Sequence, residues 1–144
     1  MKSGVITDTG PLVAYLSKRD TYHAWACSQL EQISLPLLTC EAVLTEACFL
    51  VSHNGGDAED MIDMLSQGWL SIPFGLLHES KAVGELMRKY ANIPMSLADG
   101  CLLRMTELLP NSQLLTLDGD FSIYRKYGKE AVQVIMPDKM KSVK

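Results

Sequence analysis

The chain has 144 residues, 47% of them hydrophobic and 21% charged, which supports one compact domain with a single core and leaves no room for a second of ordinary size. A formal charge of −4 argues against a protein that coats nucleic acid by bulk electrostatics, so any contact with RNA must be local, metal-assisted or helped by a partner. No apolar run approaches the roughly 20 residues that cross a bilayer, and the four cysteines show neither a C-x-x-C pair nor zinc spacing with a histidine. These features predict a soluble cytoplasmic protein with reduced core thiols and no membrane partner.

The first predicted element is a short strand, Gly4-Val5-Ile6-Thr7, ending at Asp8; Gly10-Pro11 then marks the switch to an apolar helical segment from Leu12 to Leu16. A second helix is expected from Thr21 to about Ile33, where Ala24, Cys27, Leu30 and Ile33 recur at three-residue spacing, followed by an extended link through Leu35-Pro36-Leu37-Leu38. Thr39 is the expected N-cap of a helix from Cys40 to about Ser52, and His53-Asn54-Gly55-Gly56 stops it. An amphipathic helix from Ala58 to Ser66 leads through Gly68 to a strand over Trp69 to Ile72.

Leu76 to Tyr90 has helical periodicity, Pro94 interrupts it, and a further helix opens at Ser96 and runs to about Leu109. Leu114 to Leu117 reads as a buried strand ending at Asp118, Phe121 to Tyr127 as a short helix, and Val132 to Ile135 as a last strand. The alternation predicts an α/β fold in which a mainly parallel sheet is covered by helices, a domain over residues 1–137, and a short basic tail over 138–144 carrying Lys139, Lys141 and Lys144.

Several carboxylates stand where such groups are costly. Glu46 has Ala42, Val43, Phe49 and Leu50 as its helical neighbours, which predicts a side chain on a buried face. Asp99 has Met95, Leu102 and Leu103 around it, although Ser96-Leu97-Ala98-Asp99 is also a capping box. Asp8 and Asp118 each follow an apolar strand, the end of a parallel sheet where ligands bind. Their plain alternatives are an N-cap for Asp8 and a turn for Asp118 in Asp118-Gly119-Asp120.

Val5-Ile6-Thr7-Asp8-Thr9, Glu46 in an apolar helix, Ser96-Leu97-Ala98-Asp99, and Leu115-Thr116-Leu117-Asp118-Gly119-Asp120-Phe121 together resemble the PIN-domain family, in particular toxin ribonucleases of the VapC type. The resemblance spans about Val5 to Ile135, and its most specific pieces are the Ser-Leu-Ala-Asp helix start and the Thr-x-Asp-x-Asp-Phe segment. It implies a three-layer α/β/α fold with a central, mainly parallel twisted sheet. It further implies an Mg²⁺- or Mn²⁺-dependent endoribonuclease with Asp8, Glu46, Asp99 and Asp118 as the acidic quartet. Asp120 is an alternative or accessory ligand beside Asp118, and Thr9 and Thr116 are polar neighbours. RNA as substrate, an antitoxin protein and a homodimer are the implied partners, and a PIN-fold binding module without chemistry is the alternative.

The residue types agree with that chemistry, because hard oxygen ligands suit Mg²⁺ or Mn²⁺ and no protein nucleophile is required. Arg125-Lys126 between Tyr124 and Tyr127 offers charge and stacking for RNA, against the simpler reading of a solvated helix face. His23 lacks a spaced ligand partner and is read as structural. Met61, Ile62 and Leu65, followed by Trp69, are read as core or as a self-association surface. No phosphate-binding glycine loop and no nucleophile elbow occurs, which argues against nucleotide-binding and serine-hydrolase readings.

Overall fold

A computed structural model describes residues 1–141. In chain order they form β1 (Val5–Thr7), α1 (Thr9–Leu16), α2 (His23–Glu31), β2 (Leu37–Leu38), α3 (Glu41–His53), α4 (Glu59–Ser66), β3 (Leu70–Ser71) and α5 (Leu76–Lys89). There follow α6 (Leu97–Leu108), β4 (Gln113–Leu115), a 3-10 turn (Gly119–Ser122), β5 (Arg125–Lys126), β6 (Glu130–Ala131), β7 (Val134–Ile135) and α7 (Asp138–Lys141). Residues 142–144, the end of the expected basic tail with Lys144, lie outside the described residues. No described helix is long and apolar enough to cross a membrane.

Five short strands pair in parallel in the order β3-β2-β1-β4-β7, and helices flank the sheet in the expected three-layer α/β/α arrangement. Such a sheet is covered on both faces, so its strands are apolar at successive positions. Val5, Ile6, Leu114 and Leu115 are all fully buried. The register sets Val5 opposite Gln113, Ile6 opposite Leu114 and Thr7 opposite Leu115. The Asp8 N–H continues this ladder by donating to the Leu115 carbonyl at 2.9 Å.

Asp8 caps α1, whose Pro11 falls in the first turn, where no backbone donor is needed. The core stripe of α3 is Val43, Leu44, Ala47 and Val51. Ser96 and Asp99 form a reciprocal capping box at the start of α6. That helix packs tightly on α5: a Cβ at Gly100 would meet Met87 Cγ and Val83 Cγ1, each at 3.2 Å.

Three local expectations are corrected. Thr39 is not the cap of α3; its N–H bonds to the Ser71 carbonyl, so it still belongs to the sheet. Its hydroxyl donates to the Thr7 carbonyl at 3.0 Å, and Cys40 takes the N-cap position without a side-chain cap. The segment Phe121 to Tyr127 is not a helix but the 3-10 turn followed by an antiparallel hairpin of β5 and β6. Phe121 and Tyr124 are fully buried at a spacing that imitates a helix, yet Tyr127 (φ 54°) and Gly128 (φ 76°) turn the chain left-handed.

Arg125 and Lys126 therefore do not form a solvated helix face. Lys126 is buried with its Nζ donating to the Pro110 carbonyl at 3.1 Å, and the Arg125 guanidinium donates to the carbonyls of Ser122, Ile123 and Tyr124. In α4, Met61 and Met64 enter the core while Ile62 stays exposed, and Trp69 lies against Tyr15 with ring centroids 6.4 Å apart. The expected tail starts as helix α7, with the Lys139 ammonium over the Tyr22 ring.

Candidate functional site

The strand order reverses about β1: the chain steps from β1 to β2 and β3, then returns to β4 on the opposite flank. Parallel α/β sheets bind ligands at such a reversal, beyond the carboxyl ends of the strands. A cavity of about 340 Å³ opens there, lined by Asp8, Glu46, Asp99 and Asp118 with Thr9, Ser96 and apolar neighbours. Asp8 comes from the end of β1, Asp118 from beyond β4, Asp99 from the first turn of α6 and Glu46 from the middle of α3.

Asp8 is the most constrained of them. It is 6% exposed; its Oδ1 accepts from the Thr9 N–H at 2.7 Å and its Oδ2 from the Thr116 hydroxyl at 2.8 Å. Burial pushes its pKa up to about 6; the Thr9 and Thr116 donors pull the other way, and the charges of Asp99 and Asp118 add to the rise. Its N-cap role and its place in the cavity are served by the same carboxylate.

Thr116 is fully buried and joins two acids. Its Oγ1 donates to Asp8 and accepts the Asp118 N–H at 2.9 Å, so the two strand ends are fixed relative to each other. Thr9 makes the corresponding link to α3, donating its hydroxyl to Glu46 Oε2 at 3.0 Å. Asp118 in turn accepts the Asp120 N–H at 2.9 Å through Oδ1.

Asp99 keeps one oxygen in the capping box, where Oδ2 accepts the Ser96 N–H at 3.1 Å, and it is 9% exposed. Burial raises its pKa, the Ser96 N–H opposes that, and the charges of Asp118 and Glu46 raise it further. Asp120 does not line the cavity. Its pKa is also raised, first by burial and then by Asp118.

Glu46 departs from expectation, because it is exposed and not on a buried face. The apolar neighbours that suggested burial are partly in solvent themselves: Phe49 is 67% exposed and Leu50 39%. The buried stripe of α3 runs beside this face, and Glu46 reaches the cavity from the outer side. Among the described residues no three His, Cys, Asp or Glu side chains stand as a ready metal-binding group. The acids share a cavity, but like charges repel and many of their oxygens are committed to local donors.

Ser96 lines the cavity as well as capping α6, a role that a cap motif alone does not disclose. His23 is structural as read, its Nδ1 donating to the Ala14 carbonyl at 2.8 Å. All four cysteines are free, Cys40 and Cys101 buried and Cys27 and Cys48 half-buried. No protein-family model and no curated protein matches the chain.

Proposed function

We propose that the protein is a metal-dependent endoribonuclease of the PIN type that hydrolyses RNA phosphodiester bonds, and that it is the toxin of a toxin–antitoxin pair. The observation that carries the nuclease reading is Asp8: a carboxylate 6% exposed, with its pKa pushed up to about 6, sharing one cavity with three further acids. A fold does not gather such groups for stability, since each adds repulsion and desolvation to the others.

The donor set fits Mg²⁺ or Mn²⁺, both of which take hard oxygen ligands. Mg²⁺ keeps several of its waters and binds through one or two carboxylates together with substrate phosphates, so a preformed cage of three side chains is not needed. Asp8, Asp99 and Asp118 would hold the ion, with Asp120 as the outer alternative. When bound, the ion supplies Lewis acidity toward a phosphoryl oxygen and eases deprotonation of water.

The chain's own contributions are distinct. Thr116 holds Asp8 and Asp118 in a fixed relation, and the capping box fixes Asp99 across from them. Glu46 is the open acid; with Oε2 anchored by Thr9, its Oε1 would serve as the proton acceptor for the attacking water. Purified protein is expected to cut structured RNA with Mn²⁺ or Mg²⁺ and to lose this on Asp8→Asn or Asp99→Asn. Unchanged cleavage in those variants refutes the assignment.

The net charge of −4 and the lack, among the described residues, of a ready three-ligand group favour a second reading, a PIN-fold binding module that does no chemistry. Titration calorimetry separates the two, since that module takes up no Mn²⁺. For the toxin role the supporting argument is electrostatic: an antitoxin segment that brings a basic side chain to Asp8 and Asp99 relieves the same repulsion a cation relieves. A small neighbouring reading frame encoding such a protein is the expected finding, and an inhibited complex with no partner cation near these acids counts against it. Exposed Ile62 and Trp69 support homodimerisation, which sedimentation tests.

A further inference from the structure

The acid cavity sits where α1 and α3 first meet, marked by the Thr9–Glu46 hydrogen bond. At the far ends of the same two helices lies a second, roomier cavity of about 680 Å³, lined by residues 16–20 and 54–56. Two of its residues, Lys18 and Arg19, are exposed cations that take part in none of the salt bridges among the described residues. They stand out in a chain of formal charge −4. Asp20 also lines the cavity, but its Oδ1 is occupied by the Tyr22 N–H at 2.8 Å, and the local balance remains positive.

The two cavities lie one helical turn apart at the end of α3. Leu50 lines the first and Asn54 the second, four residues on and so one helical turn away, roughly 6 Å. Phe49 and His53 stack beside them with ring centroids 5.8 Å apart and an interplanar angle of 13°. The outer cavity has a further backbone wall at Gly55 (φ 86°) and at Gly56, where a Cβ would fall 2.9 Å from Val51 Cγ1. Gly55 therefore presents bare backbone on its open side, while Gly56 lets the chain pack closely on Val51.

We propose that this second cavity is a phosphate subsite for single-stranded RNA. A flanking segment leaves the acid cavity along α3, stacks a base on Phe49 and places a backbone phosphate between Lys18 and Arg19. The identity of the ligand rests on the ribonuclease reading. The arrangement also answers the charge problem of an acidic nuclease: attraction for phosphate is confined to one end of a track whose other end is acidic. Spacing along α1, whose eight residues span ~12 Å, leaves room for a short run of nucleotides between the two ends.

The test is equilibrium binding of a fluorescein-labelled 12-nucleotide oligouridylate to the full chain in EDTA, where nothing is cut, over a range of salt. The variant carrying Lys18→Ala and Arg19→Ala should bind roughly tenfold more weakly, and its log affinity against log salt should be shallower by roughly 0.7, the loss of one neutralised phosphate. Phe49→Ala should weaken binding by roughly tenfold with the slope unchanged, as expected of stacking. Lys81→Ala, an exposed lysine lining neither cavity, should change neither.

Unchanged affinity and slope in the double variant overturn the subsite, as does wild-type protein that fails to bind the oligonucleotide at all. So does a double variant whose only effect is a changed oligomeric state, which would make the cavity a subunit contact. Cleavage by wild-type protein in Mn²⁺ together with an unaffected double variant removes the subsite and leaves the nuclease. Lost binding in the double variant without any cleavage by wild type keeps the subsite and removes the nuclease.

Discussion

The buried and the open sides of the acid cavity hold the same functional group under opposite conditions. Asp8 and Asp99 are 6% and 9% exposed, and burial raises the pKa of both, whereas Glu46 stands in solvent on the outer side of α3. The buried pair is expensive for the fold and held by local hydrogen bonds; the open acid costs little and is anchored through one oxygen. The cavity thus concentrates charge on one side and leaves an acid accessible on the other, and substitutions on the two sides should therefore behave differently.

The largest effect is expected at Asp8. Asp8→Asn should lower RNA cleavage by roughly 10³-fold, the scale of lost electrostatic stabilisation, and should at the same time stabilise the protein in EDTA above pH 6. The sign follows from linkage: a carboxyl whose pKa is about 6 in the folded protein and ordinarily 3.8 costs nothing below pH 3.8. Its cost grows between those values and is complete above pH 6, at about 3 kcal/mol at most. Thermal melts of wild type and variant at pH 4 and pH 8 check this; a variant less stable at pH 8 breaks the comparison.

Glu46→Gln should reduce kcat by roughly 10²-fold as a lost proton acceptor while shifting stability by no more than about 0.5 kcal/mol, as usual for an exposed site. Cleavage kinetics and urea melts read the two quantities separately. A large stability change would place Glu46 with the buried acids.

Thr116→Val cuts the link between Asp8 and Asp118, leaving the Asp118 N–H and Asp8 Oδ2 without this partner. It should cost about 1–3 kcal/mol and roughly 10- to 100-fold in Mn²⁺ affinity, the range for residues that orient ligands. Smallest is Ser96→Ala, which removes one half of the capping box for about 1 kcal/mol. Both are measured by denaturation, the former also by calorimetric titration.

The cavity's buried side was legible in the residues, because a carboxylate after an apolar parallel strand has few places to be. Val5-Ile6-Thr7 and Leu114-Leu115 carry continuous apolar character that only a covered sheet accommodates, and Ser96 with Asp99 announces a helix start by local hydrogen bonding alone. The open side was not legible. Four apolar neighbours around Glu46 suggested a core face, yet Phe49 and Leu50 are left in solvent, and periodicity does not reveal which of two adjacent apolar stripes a tertiary partner covers.

The hairpin was missed for a related reason. Phe121 and Tyr124 are anchored three residues apart, as in a helix, but the chain between Lys126 and Glu130 reverses through two left-handed residues, one of them Tyr127, which carries no turn signature. Burial of Lys126 follows from that reversal and from the Pro110 carbonyl, a partner 16 positions away.

The central position of β1 has a temporal consequence. β1 waits for its β4 neighbour until more than a hundred further residues have been made, and the Thr116–Asp8 hydrogen bond spans a separation of 108. During synthesis the nascent chain therefore holds its first acid in an unfinished sheet, and a product released early lacks the cavity altogether. Assembly of the acid cavity is coupled by topology to the synthesis of β4.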